Sequence, residues 1–228
     1  AAAEYLIFSP NGDGSKDTLP IHQTGSREDE WAGAIRSITG EVVKRFVWKD
    51  SAPADFAWDG KTDQGSLAPD GVYSYHISAT DRAGNRAAAD IQNIIIDTQA
   101  TPVQLSIDLS YISPNGDGVK DRVTLTPRVP VTTGIESWSL AVTDSTGKVR
   151  RRFAGTHEAP GPMTWDGRDD SGAAVPEGTY TAKLSLLYVN GHAPSADSPS
   201  MTIKLSAPAA AATADTEVFS PTGDSQKS

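Results

Sequence analysis

The chain has no cysteine, and that one absence excludes disulfides, thiol catalysis and Cys-ligated zinc together. What stabilises it is packing, hydrogen bonding or an oxygen-ligated ion. The compartment stays open, because an oxidising location permits disulfides without requiring them. Positive charge is also scarce: 20 Lys and Arg stand against 29 Asp and Glu, for a net charge of −9. A phosphate backbone or an anionic membrane needs a positive footprint, so neither nucleic acid nor direct membrane insertion is expected. Divalent cations are the better electrostatic match. No apolar run reaches the roughly 18 residues that mark a bilayer span, and no signal peptide is visible. Asn11, Asn85, Asn93, Asn115 and Asn190 all lack Ser or Thr two residues on, so no N-glycosylation acceptor is present.

At 228 residues there is room for two domains of about 100 residues, each able to bury a core of its own. The chain also repeats itself, which is the strongest guide to its architecture. Ser9-Pro10-Asn11-Gly12-Asp13-Gly14 returns as Ser113-Pro114-Asn115-Gly116-Asp117-Gly118, and a decayed copy, Phe219-Ser220-Pro221-Thr222-Gly223-Asp224, lies near the end. Beyond that motif the copies align at a constant offset of 107: Trp31 with Trp138, Gly40 with Gly147, Phe46 with Phe153, Trp58 with Trp165, Tyr73 with Tyr180. The motif itself is offset by 104, so the second copy carries three extra residues, placed in a loop around Val129 to Gly134.

Alternation of apolar and polar residues marks strands. Val103, Leu105, Ile107, Leu109 and Tyr111 are expected to share one face, as are Tyr73, Tyr75, Ile77 and Ala79, and Tyr180, Ala182, Leu184 and Leu186. Ser37 to Glu41 and Asp144 to Lys148 read as hairpin turns. The strands after them, Val42 to Trp48 and Val149 to Phe153, carry Lys44, Arg45, Arg150, Arg151 and Arg152, the basic decoration of edge strands. No segment has sustained helical periodicity. The expectation is an all-β chain of two tandem, seven-stranded immunoglobulin/fibronectin-III-like β-sandwiches. Residues 4–99 form the first, 100–206 the second, and 207–228 an Ala/Pro-rich linker with the start of a third repeat. The short, Pro102-stiffened connection from Ile94 to Val103 should restrict bending between the two.

Trp58-Asp59-Gly60, Pro69-Asp70-Gly71-Val72-Tyr73 and Asp81-Arg82-Ala83-Gly84-Asn85, with Trp165-Asp166-Gly167 and Pro176-Glu177-Gly178-Thr179-Tyr180, resemble the Ig-like domain of flagellar hook-capping, FlgD-type proteins. The second copy departs in having Tyr188-Val189-Asn190-Gly191 in place of Asp-x-Ala-Gly-Asn. The Ser-Pro-Asn-Gly-Asp-Gly leader is similar to that of bacterial surface modules. The resemblance implies a location that is extracellular, at the cell surface or periplasmic. Such modules occur in hook caps, secreted enzymes and large surface proteins, so it fixes fold more than function.

Asn11, Asp13 and Asp17, with Asn115, Asp117 and Asp121, are the candidate ligands for calcium, which takes several oxygen donors from a tight loop. An Asn-Gly/Asp-Gly turn bonded to its own backbone explains the same residues without an ion. The loop is expected to open each domain, near the junction with the preceding one. Asp59 with Asp63 and Asp166 with Asp170 are paired carboxylates of the kind glycosidases use, yet their duplication in turns points to a structural rule, and no catalytic residue is assigned. The four histidines, His22, His76, His157 and His192, do not recur at equivalent positions and read as surface or satisfied side chains. Trp31, Trp58, Trp138 and Trp165 recur and belong to the cores. Trp48 does not recur, its counterpart being Gly155, and is the candidate for a binding residue. The function these features suggest is a non-enzymatic spacer and protein-interaction module of a bacterial envelope or cell-surface protein. Its partners would be a surface protein or glycan, copies of itself or neighbouring Ig-like domains. The alternatives are a carbohydrate-binding accessory module and a hook-cap-like assembly domain.

Overall fold

Two-residue alternation broken by frequent turn residues gives this chain strands joined by turns, from two residues long at Ala2–Ala3 to eleven at Arg86–Ile96. The computed structural model describes residues 1–206 and 211–213, and among these there are strands and turns but no helix. The third copy of the leading motif lies outside the described residues. The first half runs β1 (Ala2–Ala3), β2 (Ile7–Phe8), β3 (Leu19–His22), β4 (Glu28–Ser37), β5 (Val42–Ser51), β6 (Phe56–Trp58), β7 (Gly71–Thr80) and β8 (Arg86–Ile96). One sheet is ordered β1-β3-β6 and the other β2-β8-β7-β4-β5. The second half repeats this with β9 (Gln104–Ile107), β10 (Tyr111–Ile112), β11 (Val123–Arg128), β12 (Ile135–Asp144), β13 (Val149–Thr156), β14 (Met163–Trp165), β15 (Gly178–Tyr188), β16 (Ser195–Asp197) and β17 (Met201–Ile203). Its sheets are β14-β11-β9 and β10-β17-β15-β12-β13, with β16 also on β15. No described sheet mixes strands from the two halves.

The faces predicted from alternation hold for β7 and β15, where Tyr73, Tyr75, Ile77 and Ala79, and Tyr180, Ala182, Leu184 and Leu186, are all buried. They fail for the first strand of the second domain. Leu105 is buried but Tyr111 is 62% exposed, and its neighbour Ile112 is buried instead. The cause is a change of sheet: β9 pairs antiparallel with β11, whereas β10 pairs parallel with β17. The chain crosses between the sheets around Asp108 to Ser110, and the crossing reverses which side chains face inward. β1 and β2 make the same crossing in the first domain.

The hairpin turns form as expected, closed by Gly40 N to Ser37 O and Gly147 N to Asp144 O, both 2.9 Å. β5 and β13 are edge strands, and the Trp-Asp-Gly segments explain how those edges are covered. Asp63 donates its backbone N–H to Val43 O (2.9 Å) and accepts Arg45 N–H on Oδ1 (3.0 Å). Asp170 does the same with Arg150 O and Arg152 N–H. One residue thus pairs like a strand against the start of each exposed edge, which hinders strand addition at that point. The paired carboxylates are turn and edge devices: Asp59 and Asp166 cap the N–H groups of Lys61 and Arg168.

Trp58 and Trp165 fill the two cores, each edge-on to the tyrosine of its domain at 5.4 Å and 5.2 Å. Those tyrosines donate back to the carbonyls of Pro69 and Pro176, the tyrosine-corner arrangement of Ig sandwiches. The glycine after each Trp-Asp is required twice over. Gly167 has φ +71° and a Cβ there would lie 2.7 Å from Pro114 Cγ, while Gly60 sits in the same way under Pro10. The Ser-Pro leader and the Trp-Asp-Gly turn are therefore two halves of one contact. Gly167→Ala should cost about 1–2 kcal/mol in left-handed backbone and about 1–3 kcal/mol more in displaced packing. Gly172→Ala, with φ +83° and no atom near its Cβ, should show the backbone part alone in urea titrations. Equal losses for the two would remove the assigned role of the proline contact.

Candidate docking site

The leading motif folds as a loop between β2 and β3, and again between β10 and β11. In the first, both carboxylate oxygens of Asp17 accept backbone N–H groups, from Gly12 (2.6 Å) and Gly14 (2.8 Å). Asn11 Oδ1 accepts from Asp13 N, Asp13 Oδ1 from Ser15 N, and Asp13 Oδ2 from the Asn11 amide. Asp121, Asn115 and Asp117 repeat every one of these bonds. The six candidate calcium ligands are thus brought together in two groups of three, and in each group the oxygens surround N–H donors. Among the described residues, no cluster of three or more His, Cys, Asp or Glu is placed to hold a metal ion.

The loop does not face the preceding domain, as its place in the sequence had suggested; it faces the following one. β2 runs parallel to β8, with Ile7 opposite Ile95 and Phe8 opposite Ile96, so both strands leave the sandwich at the same end. Ile96 continues there into the second domain. The turn between β15 and β16 comes down onto this loop. Ser9 Oγ and His192 Nε2 share a hydrogen bond of 2.6 Å, and the other ring nitrogen is 3.4 Å from Thr101 Oγ1. Asn190 Nδ2 donates to the carbonyl and a carboxylate oxygen of Asp97, both at 3.2 Å, and Lys16 Nζ to the carbonyl of Val189 at 2.8 Å. Ser9, Asn190, His192 and Thr101 are all buried. Gly191, φ +97°, lies so close that a Cβ would come within 2.7 Å of the Ser15 carbonyl oxygen.

His192 and its neighbours are the functional residues that sequence reading missed. The signal was the departure of 188–192 from the Asp81–Asn85 pattern. Both segments form the same turn, closed by Tyr188 N to His192 O (2.8 Å) and Asp81 N to Asn85 O (2.9 Å). The fold therefore does not demand the difference; the neighbouring domain does. Of the other histidines, His22 and His157 are exposed and His76 is half-buried, with His22 and His76 bonded to Asp55 and Asp90.

Trp48 is half-buried. It lies opposite Trp31 on the edge strand β5 and packs on Phe46 and Phe56, with centroids 6.1 Å and 6.0 Å away. Its ring also covers Gly33, whose missing side chain makes room for it and for Tyr75. In the second domain Trp138 performs this covering from the facing strand, over Gly155. Four of the five basic residues singled out on the edge strands are taken up locally: Lys44 by the Thr62 carbonyl, Arg45 by Asp63, Arg150 by Asp144, and Arg151 by the Asp169 carbonyl.

A sequence model of the FlgD Ig-like domain matches residues 23–83 and 116–188, more than half of the chain. The chain belongs to that family. No curated protein matches it. Among solved structures it is similar to a tetra-tandem repeat in the extending region of a large adhesion protein, at 20% identity and TM-score 0.35 over 90% of this chain. It spans about half (48%) of that relative. Fibronectin(III)-like modules of Clostridium thermocellum CbhA are 12% identical, with TM-score 0.45 over 86% of this chain and 92% of theirs. A 1.5-MDa bacterial ice-binding adhesin is 12% identical, with TM-score 0.43 over 89% of this chain and 62% of that one.

Several carboxylates in these FlgD-type domains are held below the usual carboxylate range by the N–H and O–H groups they accept. Arg45 N–H does this for Asp63, Gly116 and Gly118 for Asp121, Thr146 and then Arg150 for Asp144, and Leu205 and Ser206 N–H for Glu177. Each folded-state value is depressed, so each contributes stability above the unfolded value of about 4 that fades as pH falls through the folded value. His22 has the opposite sign: Asp55 first and Glu4 second raise it, so its contribution is present below about pH 6.5 and fades as pH rises. The melting temperature should fall steadily below about pH 4. A melt at pH 3 matching that at pH 5 would contradict these assignments.

Proposed function

We propose that this chain is a stiff, non-enzymatic spacer and interaction module of a bacterial envelope or cell-surface protein, its two Ig-like domains locked end to end by the turn at Asn190–His192. The observation that carries this reading is the buried contact of Ser9, His192 and Thr101 between the domains. Polar groups taken out of water are costly unless paired, so a hinge that opened freely would leave them in water and gain nothing from their arrangement. Asp70 adds to the stiffness by accepting both the N–H and the hydroxyl of Thr98, which clamps the linker where it leaves the first domain. The paired carboxylates being spent on turns and edges supports the non-enzymatic part. The Trp48 ring being used to cover Gly33 favours this reading over a sugar platform.

The expected solution behaviour is a narrow, two-lobed distance distribution by small-angle scattering. Gly191→Ala should broaden it, because the new methyl group meets Ser15 and Lys16. Gly84→Ala, at the equivalent turn of the first domain with nothing near its Cβ, should leave it unchanged. A wild-type profile requiring a broad ensemble of interdomain angles would end the spacer reading.

Calcium belongs to the proposal as a weak stabiliser of the two loops. An ion at Asn11, Asp13 and Asp17, or at Asn115, Asp117 and Asp121, has to share oxygens already accepting N–H bonds, which places its affinity in the range of about 0.1–1 mM typical of weak extracellular modules. At ten times its dissociation constant it would add about 1.4 kcal/mol per site, read as a higher melting temperature in millimolar calcium than in chelator. Asp13→Ala with Asp117→Ala should abolish the rise. Superimposable melts would leave the loops as turns alone.

A further inference from the structure

We propose that the Ser113–Asp121 loop of the second domain is a preformed socket for the hairpin turn of a third Ig-like domain, and that Lys204 selects a turn carrying an acidic side chain where Asn190 stands. The inference deepens the spacer reading and rests on it.

The two loops are built alike and differ in cover. Ser9 N donates to Lys16 O at 3.0 Å and Ser113 N to Lys120 O at 2.8 Å; the lysines have φ 48° and 54°. Yet Ser9 is fully buried and Ser15 and Lys16 are half-buried under the Asn190–His192 turn, while Ser113 is half-exposed and Val119 and Lys120 are exposed. Side chains that face solvent at this end are also more apolar than their counterparts. Val119 is 64% exposed where the first loop has Ser15, and Leu205 is 42% exposed where the first linker has Thr98. Val119 and Leu205 follow the parallel strands β10 and β17, so both lie at the end where the chain leaves this sandwich and offer apolar surface there.

The exit path repeats as well. Glu177 accepts Leu205 N (2.6 Å) and Ser206 N (2.5 Å), as Asp70 accepts Thr98, so the chain leaves both domains under the same restraint. The distance in sequence from the exit strand to the next leading motif is conserved too: Ile96 to Ile112 and Ile203 to Phe219 are each 16 residues. One position changes sign. Asp97, the acceptor for the Asn190 amide, corresponds to Lys204. A socket that presents a donor there calls for an acceptor on the incoming turn, the complementarity by which interfaces choose partners.

The test is a longer chain, residues 1–206 followed directly by a second copy of 100–228 with Asn190→Asp in the added copy, a join that keeps the 107-residue spacing. Amide hydrogen exchange in 113–120 should slow at least about ten-fold relative to the present chain, approaching that of 9–16. Gly191→Ala in the added copy should reverse it. Exchange at 113–120 unchanged while 9–16 stays protected would overturn the socket and leave the spacer reading intact; fast exchange at both would overturn the spacer reading first. A second measurement needs only the present chain. Asp97→Lys should speed exchange at 9–16, and Asp97→Lys with Asn190→Asp should restore it. Failure of the double variant to restore protection would overturn the selection assigned to Lys204.

Discussion

Two residues, Ile7 and Phe8, pair in parallel with Ile95 and Ile96, and the placement of everything functional follows from that pairing. It is a short contact, but it forces the first strand to leave one sheet for the other and to end beside the strand that exits the domain. Pro10 then comes to rest on Gly60, and the loop behind it hangs at the junction. Reverse the direction of that pairing and the Asn-Gly-Asp-Gly loop would point away from the next domain. The second domain repeats the arrangement through Ile112 and Ile203.

The two conspicuous motifs are coupled through this contact. The leader supplies a proline and a self-bonded loop; the Trp-Asp-Gly segment supplies a glycine bed for the proline, a tryptophan for the core and an aspartate for the open sheet edge. That aspartate pairs with one edge strand of each domain, β5 or β13, while the proline and its loop stand at the end from which the chain leaves the sandwich. The difference between the domains lies mainly in what the end-facing residues are: Asn85 is exposed where His192 is buried, and Asp97 stands where Lys204 does.

Much of the fold was legible before any coordinates. Period-two alternation in β7 and β15, the constant offset of 107 residues and the basic edge strands each rest on local physics that the sequence carries directly. The failure at Tyr111 is instructive, because alternation continues unbroken there and nothing local marks the change of sheet. The histidines read as surface or satisfied side chains, and His192 is of the satisfied kind; what its failure to recur did not convey is that one of its partners, Ser9, lies in the other domain. A residue that breaks the repeat is free of the demands of the shared fold, and so is available to the contact between copies.

The sequence by itself determined that this is an all-β tandem repeat, because strand period, turn chemistry and repeat spacing are properties of neighbouring residues. It also determined the composition of the leading loop. Which neighbour that loop faces was decided only by tertiary structure, since the answer depends on the relative direction of two strands almost 90 residues apart. The same holds for the pairing of Ser9 with His192, 183 residues distant. Pairings between distant residues are set by how whole sheets pack, and no local pattern encodes them.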